Sequence, residues 1–303
     1  MNSTGTGKIR TAKVQLVISM TVFGTLGLFV KNINLASGEL ALYRACLAAV
    51  LLAGYFLVTK QKIDFAGMKK DMIRLLLSGM AMGVNWILLF QAYRYTTVSV
   101  ATLTYYFAPV LVTVLCPVIF HERLTKKQIF CFVMSTLGLI MIIGVSGLGT
   151  GGKSLIGIAF GLGAASFYAA VILLNKSIKN VAGIMRTFVQ FIASIILLVP
   201  YVCLTGGFHL TGLNHTGIYN LLIVGFFHTG ITYCLYFSSL KELKGQEAAI
   251  LSYIDPLVAV VVSVLILQET LTPWQLIGGC MILGFTIVNE LPARAFSLPF
   301  NKH

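Results

Sequence analysis

Residues 248–267 read AAILSYIDPLVAVVVSVLIL, and residues 101–120 read ATLTYYFAPVLVTVLCPVIF. At an offset of 147 residues the two runs share Ala101/Ala248, Tyr106/Tyr253 and Pro109/Pro256, while Asp255 answers to Ala108. Each run has the length and apolarity of a membrane-spanning helix, which needs about 20 such residues. The same offset pairs Gly83 with Gly230, Leu88 with Leu235 and Phe90 with Phe237. It also sets His121-Glu122-Arg123-Leu124-Thr125-Lys126-Lys127-Gln128 on Gln268-Glu269-Thr270-Leu271-Thr272-Pro273-Trp274-Gln275, with Glu, Leu, Thr and Gln coinciding without a gap. A duplication of this period is an internal repeat of a whole structural unit.

Composition states the class. Of 303 residues, 57% are hydrophobic and 10% are charged, with a mean hydropathy of +0.90. A soluble domain carries about 25% charged residues, so this chain lacks the polar cover it would need in water. It reads as an all-α membrane protein. The net charge of +13 sits in short clusters between apolar runs, which fits loops at a membrane surface and excludes a nucleic-acid-binding face. The six cysteines lie within apolar runs and form no CxxC pair, so neither a disulfide framework nor a metal cage is expected. No cofactor is expected. Lys8, Arg10 and Lys13 precede the first apolar run, as in a signal peptide. That run ends at Phe29-Val30-Lys31 without a small-residue cleavage site, so it is expected to be a retained span.

Ten runs qualify as spans, over 14–31, 38–59, 71–93, 98–120, 126–146, 155–175, 183–204, 217–239, 246–267 and 273–290. Counting Lys and Arg in alternate loops gives 18 on the side of the N-terminus and 3 (Lys31, Arg94 and Lys153) on the other. The expectation is a multi-pass protein of the inner or plasma membrane with both termini cytoplasmic. Five spans per unit is an odd number, so the two copies, 14–146 and 155–290, would lie in opposite orientations. That is the inverted-repeat design of secondary transporters, with substrate near the midplane.

The duplicated five-span unit, the Phe23-Gly24…Lys31 opening, Arg44 in the second span and the Pro…Glu-x-Leu-Thr signature of both halves resemble the EamA family of the drug/metabolite transporter superfamily. The resemblance covers about residues 12–290. It implies a ten-helix carrier for a small metabolite, with a central cavity lined by spans 1, 3, 4, 6, 8 and 9 and with spans 5 and 10 at the periphery.

Candidate site residues follow from what is unusual inside the spans. Asp255 lies about 15 Å from the cytoplasmic end of its run at helical rise. A carboxylate there costs about 2.5–3.5 kcal/mol on insertion scales and must face the interior. It is a candidate proton-coupling or amine-binding group, the alternative being a hydrogen-bonded structural acid. Ala248, Ser252, Ala259 and Ser263 supply a small-residue strip beside it. His228 reads either as a packing residue or as a partner of Asp255 across the cavity. Asn85 and Trp86, with Thr232 and Tyr233 as their repeat partners, give matched polar and aromatic positions. Tyr106 and Tyr253 extend the aromatic wall, and at most one of the adjacent Tyr105 and Tyr106 can line it. Pro109 and Pro256 are expected to break their helices, as kinks or as hinges.

Arg44 is expected to snorkel to the interface as an anchor, or else to be a fixed charge that attracts anions. Thr125-x-x-Gln128 and Thr272-x-x-Gln275 match the capping box, with Pro273 at the favoured first helical position. Glu122 and Glu269 are expected to satisfy the exposed amides of the helices that follow them. Gly79-x-x-x-Gly83 and Gly157-x-x-x-Gly161 mark close helix contacts.

The function expected is secondary transport by alternating access of a small metabolite, an amino acid or related compound, in the direction of export. The alternatives are a passive channel or facilitator, or an importer of another metabolite or drug class. An enzyme is not expected, since HExxH, Gly-x-Ser-x-Gly and paired intramembrane acids are all absent. The partners expected are the metabolite, the lipid bilayer and protons, with the protein a monomer or homodimer.

Overall fold

The structure is a computed structural model and describes residues 3–60, 68–120, 125–149, 152–181, 183–240, 242–243, 248 and 251–291. Glu122 and the loop around Lys62 lie outside these residues, as do Lys241, Lys244 and the C-terminal Arg294 and Lys302. The chain runs α1 (Ser3–Gly24), α2 (Leu26–Lys31), α3 (Ser37–Thr59), α4 (Met72–Tyr95), α5 (Val98–Tyr105), α6 (Ala108–Phe120) and α7 (Lys126–Gly149). It continues α8 (Lys153–Ser177), α9 (Gly183–Thr205), α10 (His215–Leu222), a π-helical segment (Ile223–Ile231), α11 (Thr232–Leu240), α12 (Ile254–Leu265) and α13 (Pro273–Glu290). No strand occurs among the described residues.

Eight of these rods are long and apolar enough to cross a membrane, from Lys8–Lys31 through His215–Ser239, and two further apolar helices, Ile254–Leu265 and Pro273–Asn289, are shorter. An apolar rod suits this solvent because a helix satisfies its own backbone bonds.

Both capping boxes form. Thr272 Oγ1 accepts from Gln275 N while Gln275 Oε1 accepts from Thr272 N, and Thr125 and Gln128 exchange the same two bonds. Each box satisfies amides that the first turn of a helix leaves orphaned.

The main helix contacts run between the two halves of the chain and exchange in pairs. α4 packs on α8 as α11 packs on α1, and α6 packs on α8 as α12 packs on α1. α3 with α9 and α7 with α13 join positions that answer to each other in the two halves. Glycine permits the closest of these approaches. A Cβ at Gly138 of α7 would lie 2.6 Å from the Gly278 carbonyl of α13. Gly79 meets Gln190 and Ala193 of α9, whereas Gly157 and Gly161 meet Thr96 and Thr104. The two small-residue motifs are therefore close contacts between helices. α7 and α13 stand largely apart with each other.

Candidate functional site

Four departures from regular helix meet in the interior. The first rod bends at Thr25, whose hydroxyl bonds Val22 O at 2.8 Å. The fourth breaks at Tyr106-Phe107, so Pro109 falls in the first turn of a new helix, where its missing N–H costs little. The counterpart break at Tyr253 likewise places Pro256 in the first turn of α12. The prolines end one rod and begin another instead of kinking a continuous one. The fourth departure is the π segment, where Thr229 and Thr232 donate to carbonyls five residues back, Val224 O at 2.7 Å and Phe227 O at 2.8 Å. Gly225 and Gly230 let this widened turn press on Leu47 and Leu51 of α3. Helix interruptions inside a membrane are tolerated where protein or a cavity surrounds them.

The breaks touch. A Cβ at Gly24 would lie 2.6 Å from the Asp255 carbonyl, so glycine is required where the first rod crosses the start of α12. His228 of the π segment lies 2.9 Å from Thr25 Oγ1. The Thr25 hydroxyl also donates to Val22 O, and on the other side of the ring His228 Nδ1 lies 3.4 Å from Ile223 O. The imidazole is thus tied to Thr25 and packed edge-on to Phe29, with ring centroids 4.8 Å apart. It makes no bond to Asp255, so the pairing expected between these two does not form. Thr232 is buried and its hydroxyl donates to Phe227 O.

Asp255 is held by Tyr106, whose hydroxyl donates to Oδ2 at 2.5 Å. Tyr253 approaches Tyr106 with ring centroids 6.5 Å apart, while Tyr105 turns away to stack on Tyr168 at 5.2 Å. Asn85 is buried and donates to Ala164 O at 2.7 Å, tying α4 to α8.

Of the two places expected for Arg44, the snorkelling anchor is overturned. The residue is 3% exposed and does not snorkel. Its Nε donates to Thr229 Oγ1 at 2.6 Å, and its guanidinium carbon lies 4.6 Å from the centre of the Trp86 ring and 5.7 Å from that of Phe90. A cation over a desolvated indole gains about 2 kcal/mol, and that compensation lets the charge stay inside. Trp86 leads on to Phe191, Tyr233 and Phe23 through ring contacts of 5.1–5.7 Å. One aromatic wall therefore runs from Arg44 in the first half to Tyr233 in the second. Arg44, Thr25, Thr229 and Tyr168 were not among the site residues expected. A π-helical turn carries no proline to announce it, and without it Thr229 gives no sign of reaching Arg44. Among the described residues, no group of three His, Cys, Asp or Glu side chains could hold a metal ion.

Polar clamps flank the interior. On the face carrying Lys31 and Arg94, Glu269 accepts from Val98 N at 2.8 Å and also bonds Ser263 and Lys31. It thus satisfies an amide of α5 in the other half, not the start of α13 as expected, because the Thr272 box already serves α13. On the opposite face Asp71 accepts from Asn180 N at 2.9 Å, Lys179 N at 3.1 Å and Asn180 Nδ2 at 3.0 Å.

Comparison with known proteins agrees with this architecture. The profile of the EamA-like transporter family matches residues 11–144 and 155–289. The "Uncharacterized transporter YxxF" of Bacillus subtilis (strain 168) is 34% identical over 277 residues, covering 90% of this chain and 88% of its own. Protein PecM of Dickeya dadantii is 25% identical over 80% of this chain and 81% of its own. The "Probable amino-acid metabolite efflux pump" of Salmonella typhimurium is 27% identical over 58% of this chain and 62% of its own. A solved crystal structure superposes with a TM-score of 0.65 over 91% of this chain and 96% of that one, at 13% identity, a likeness of fold. The interrupted helices, the contacts that exchange between halves and the doubled profile match have one reading: this chain is a multi-pass membrane protein of the EamA-like transporter family.

Proposed function

We propose that the protein is a secondary carrier that exports an amino acid or a closely related small metabolite by alternating access. In this reading ten spans form two inverted repeats, 14–146 and 155–290, in the inner or plasma membrane with both termini cytoplasmic. The observation that carries it is a buried guanidinium, Arg44, and a half-buried carboxyl side chain, Asp255, set in one aromatic-walled interior to which both halves contribute. A zwitterion needs those two charges, the carboxylate meeting Arg44 and the ammonium meeting Asp255. The walls of Trp86, Tyr106, Tyr233 and Tyr253 favour an apolar side chain. Asn85 and His228 hold the helices that carry these groups, and the breaks at Pro109 and Pro256 are the hinges. The printed name of the Salmonella relative points to the same substrate class.

Asp255 also serves as the proton site. When substrate leaves, Tyr106 and a proton take its place. The test is flux in reconstituted vesicles, after a metabolite comparison of overexpressing cells against empty vector has named the solute. A carrier saturates and shows counterflow, whereas a channel does neither. Asp255→Asn is expected to abolish proton-linked flux while leaving the protein folded and inserted. Unchanged flux and pH dependence would remove Asp255 from the mechanism.

A further inference from the structure

A cavity of about 560 Å³ opens on the Lys31 face between the 32–36 segment, the start of α3 and the end of α4. That volume lies within the range of small-molecule sites. Its rim carries Lys31, Asn34, Ser37 and Arg94, and its floor is Leu40 and Phe90. Phe90 is 1% exposed, and the same ring lies 5.7 Å from the Arg44 guanidinium. One phenyl ring therefore separates this vestibule from the buried cation.

The charges around it are unbalanced. Lys31 is neutralised by Glu269, and Glu39, near the start of α3, is buried and faces His209. Arg94 is exposed and has no carboxylate within ion-pair distance among the described residues. Ser37 donates to Gln91 at 2.6 Å and fixes the rim. We propose that this vestibule is a second binding station for carboxylate-bearing solutes, with Phe90 as the door between it and Arg44. An anion held by Arg94 is drawn toward Arg44 and passes when the ring swings aside. This rests on the reading of Arg44 as the carboxylate site of a carrier, but its test does not use transport.

The test uses purified full-length protein in detergent, with the native cysteines replaced. Asn34→Cys is expected to react faster with an anionic than with a cationic methanethiosulfonate reagent, relative to free cysteine. The excess is about sixfold, because one unit charge at about 8 Å in water speeds the anionic reagent and slows the cationic one by about twofold to threefold each, and it disappears in Arg94→Gln. Trp86→Cys, behind the door, is expected to react slowly and to gain at least about tenfold in Phe90→Ala. If Phe90→Ala does not give monodisperse protein, Phe90→Leu supplies the comparison. Absence of charge preference at position 34, or equal reactivity at position 86 with and without the Phe90 ring, overturns the proposal. A protein that passes both measurements but fails the flux assay keeps the vestibule and loses the carrier reading.

Discussion

The Arg44 guanidinium is the residue on which the site turns, and its surroundings make a sharp distinction between charge and shape. Lysine keeps the positive charge but loses the planar group that stacks on Trp86 and donates to Thr229. Arg44→Lys is therefore expected to insert normally and yet lose at least about tenfold in kcat/KM, about 1.4 kcal/mol. Flux at graded substrate concentration measures this, and full activity in the lysine variant would reduce Arg44 to a generic cation. Asp71, just outside α4, makes a second prediction. The Asn180 backbone N–H, together with Lys179 N–H and Arg74, holds its carboxyl below the usual carboxylate range. A depressed folded pKa contributes stability that is present above the unfolded value of about 3.9 and lost as pH falls through the folded value. Asp71→Asn should lower the thermal midpoint in detergent at neutral pH, with the gap to wild type closing below about pH 4. A gap independent of pH would assign the loss to packing instead. Asp255 was legible in the sequence because an acid in an apolar run has few innocent explanations. Arg44 stayed open between anchor and interior charge because snorkelling and burial differ only in the neighbours, and Trp86 and Thr229 lie 42 and 185 positions away along the chain.

Among the elements, the helix ends were readable and two of the interior breaks were not. Thr272-x-x-Gln275 is a local pattern with a local cause, and Thr272→Ala is expected to cost about 1 kcal/mol, seen as a lower unfolding midpoint in detergent. Pro109 and Pro256 announce their breaks because proline cannot donate a backbone bond. The bend at Thr25 and the π segment have no such residue. They arise where Gly24, Gly225 and Gly230 let neighbouring helices approach too closely for a regular rod, and that is decided by tertiary packing. The α7–α13 crossing offers the converse case. Alanine in place of helical glycine ordinarily gains about 0.5–1 kcal/mol, but a Cβ at Gly138 would stand 2.6 Å from the Gly278 carbonyl and 2.9 Å from Met281 Cβ. Gly138→Val is therefore expected to destabilise by about 1–3 kcal/mol, measured by thermal unfolding in detergent. A neutral result would show that the α7–α13 pair can slide apart without cost.

At the scale of the whole molecule, the 147-residue offset in the sequence reappears as packing partners that exchange between halves, yet the polar load does not follow the repeat. Ala108 answers to Asp255, and Ala81 to His228, so the shared frame carries one asymmetric site. Glu269 is the clearest place to ask whether that frame moves. It joins the loop before α13 to Lys31 at the end of α2 and to Val98 at the start of α5, tying the two halves together at the Lys31 face. Capping alone would explain the Val98 bond, because the first amides of α5 need an acceptor, but it would not explain Lys31. The two roles separate by substitution. Lys31→Met leaves the cap intact and removes the tie, whereas Glu269→Ala removes both. If the tie holds the face closed, spin labels at Asn34 and Thr270 should show a broadened or longer distance in Lys31→Met, and Glu269→Ala should go further. If Glu269 only caps α5, Lys31→Met leaves the distance unchanged and Glu269→Ala acts on thermal stability alone. A shift in Lys31→Met, accompanied by altered flux at unchanged stability, would make this cluster the gate that alternates with the opposite face.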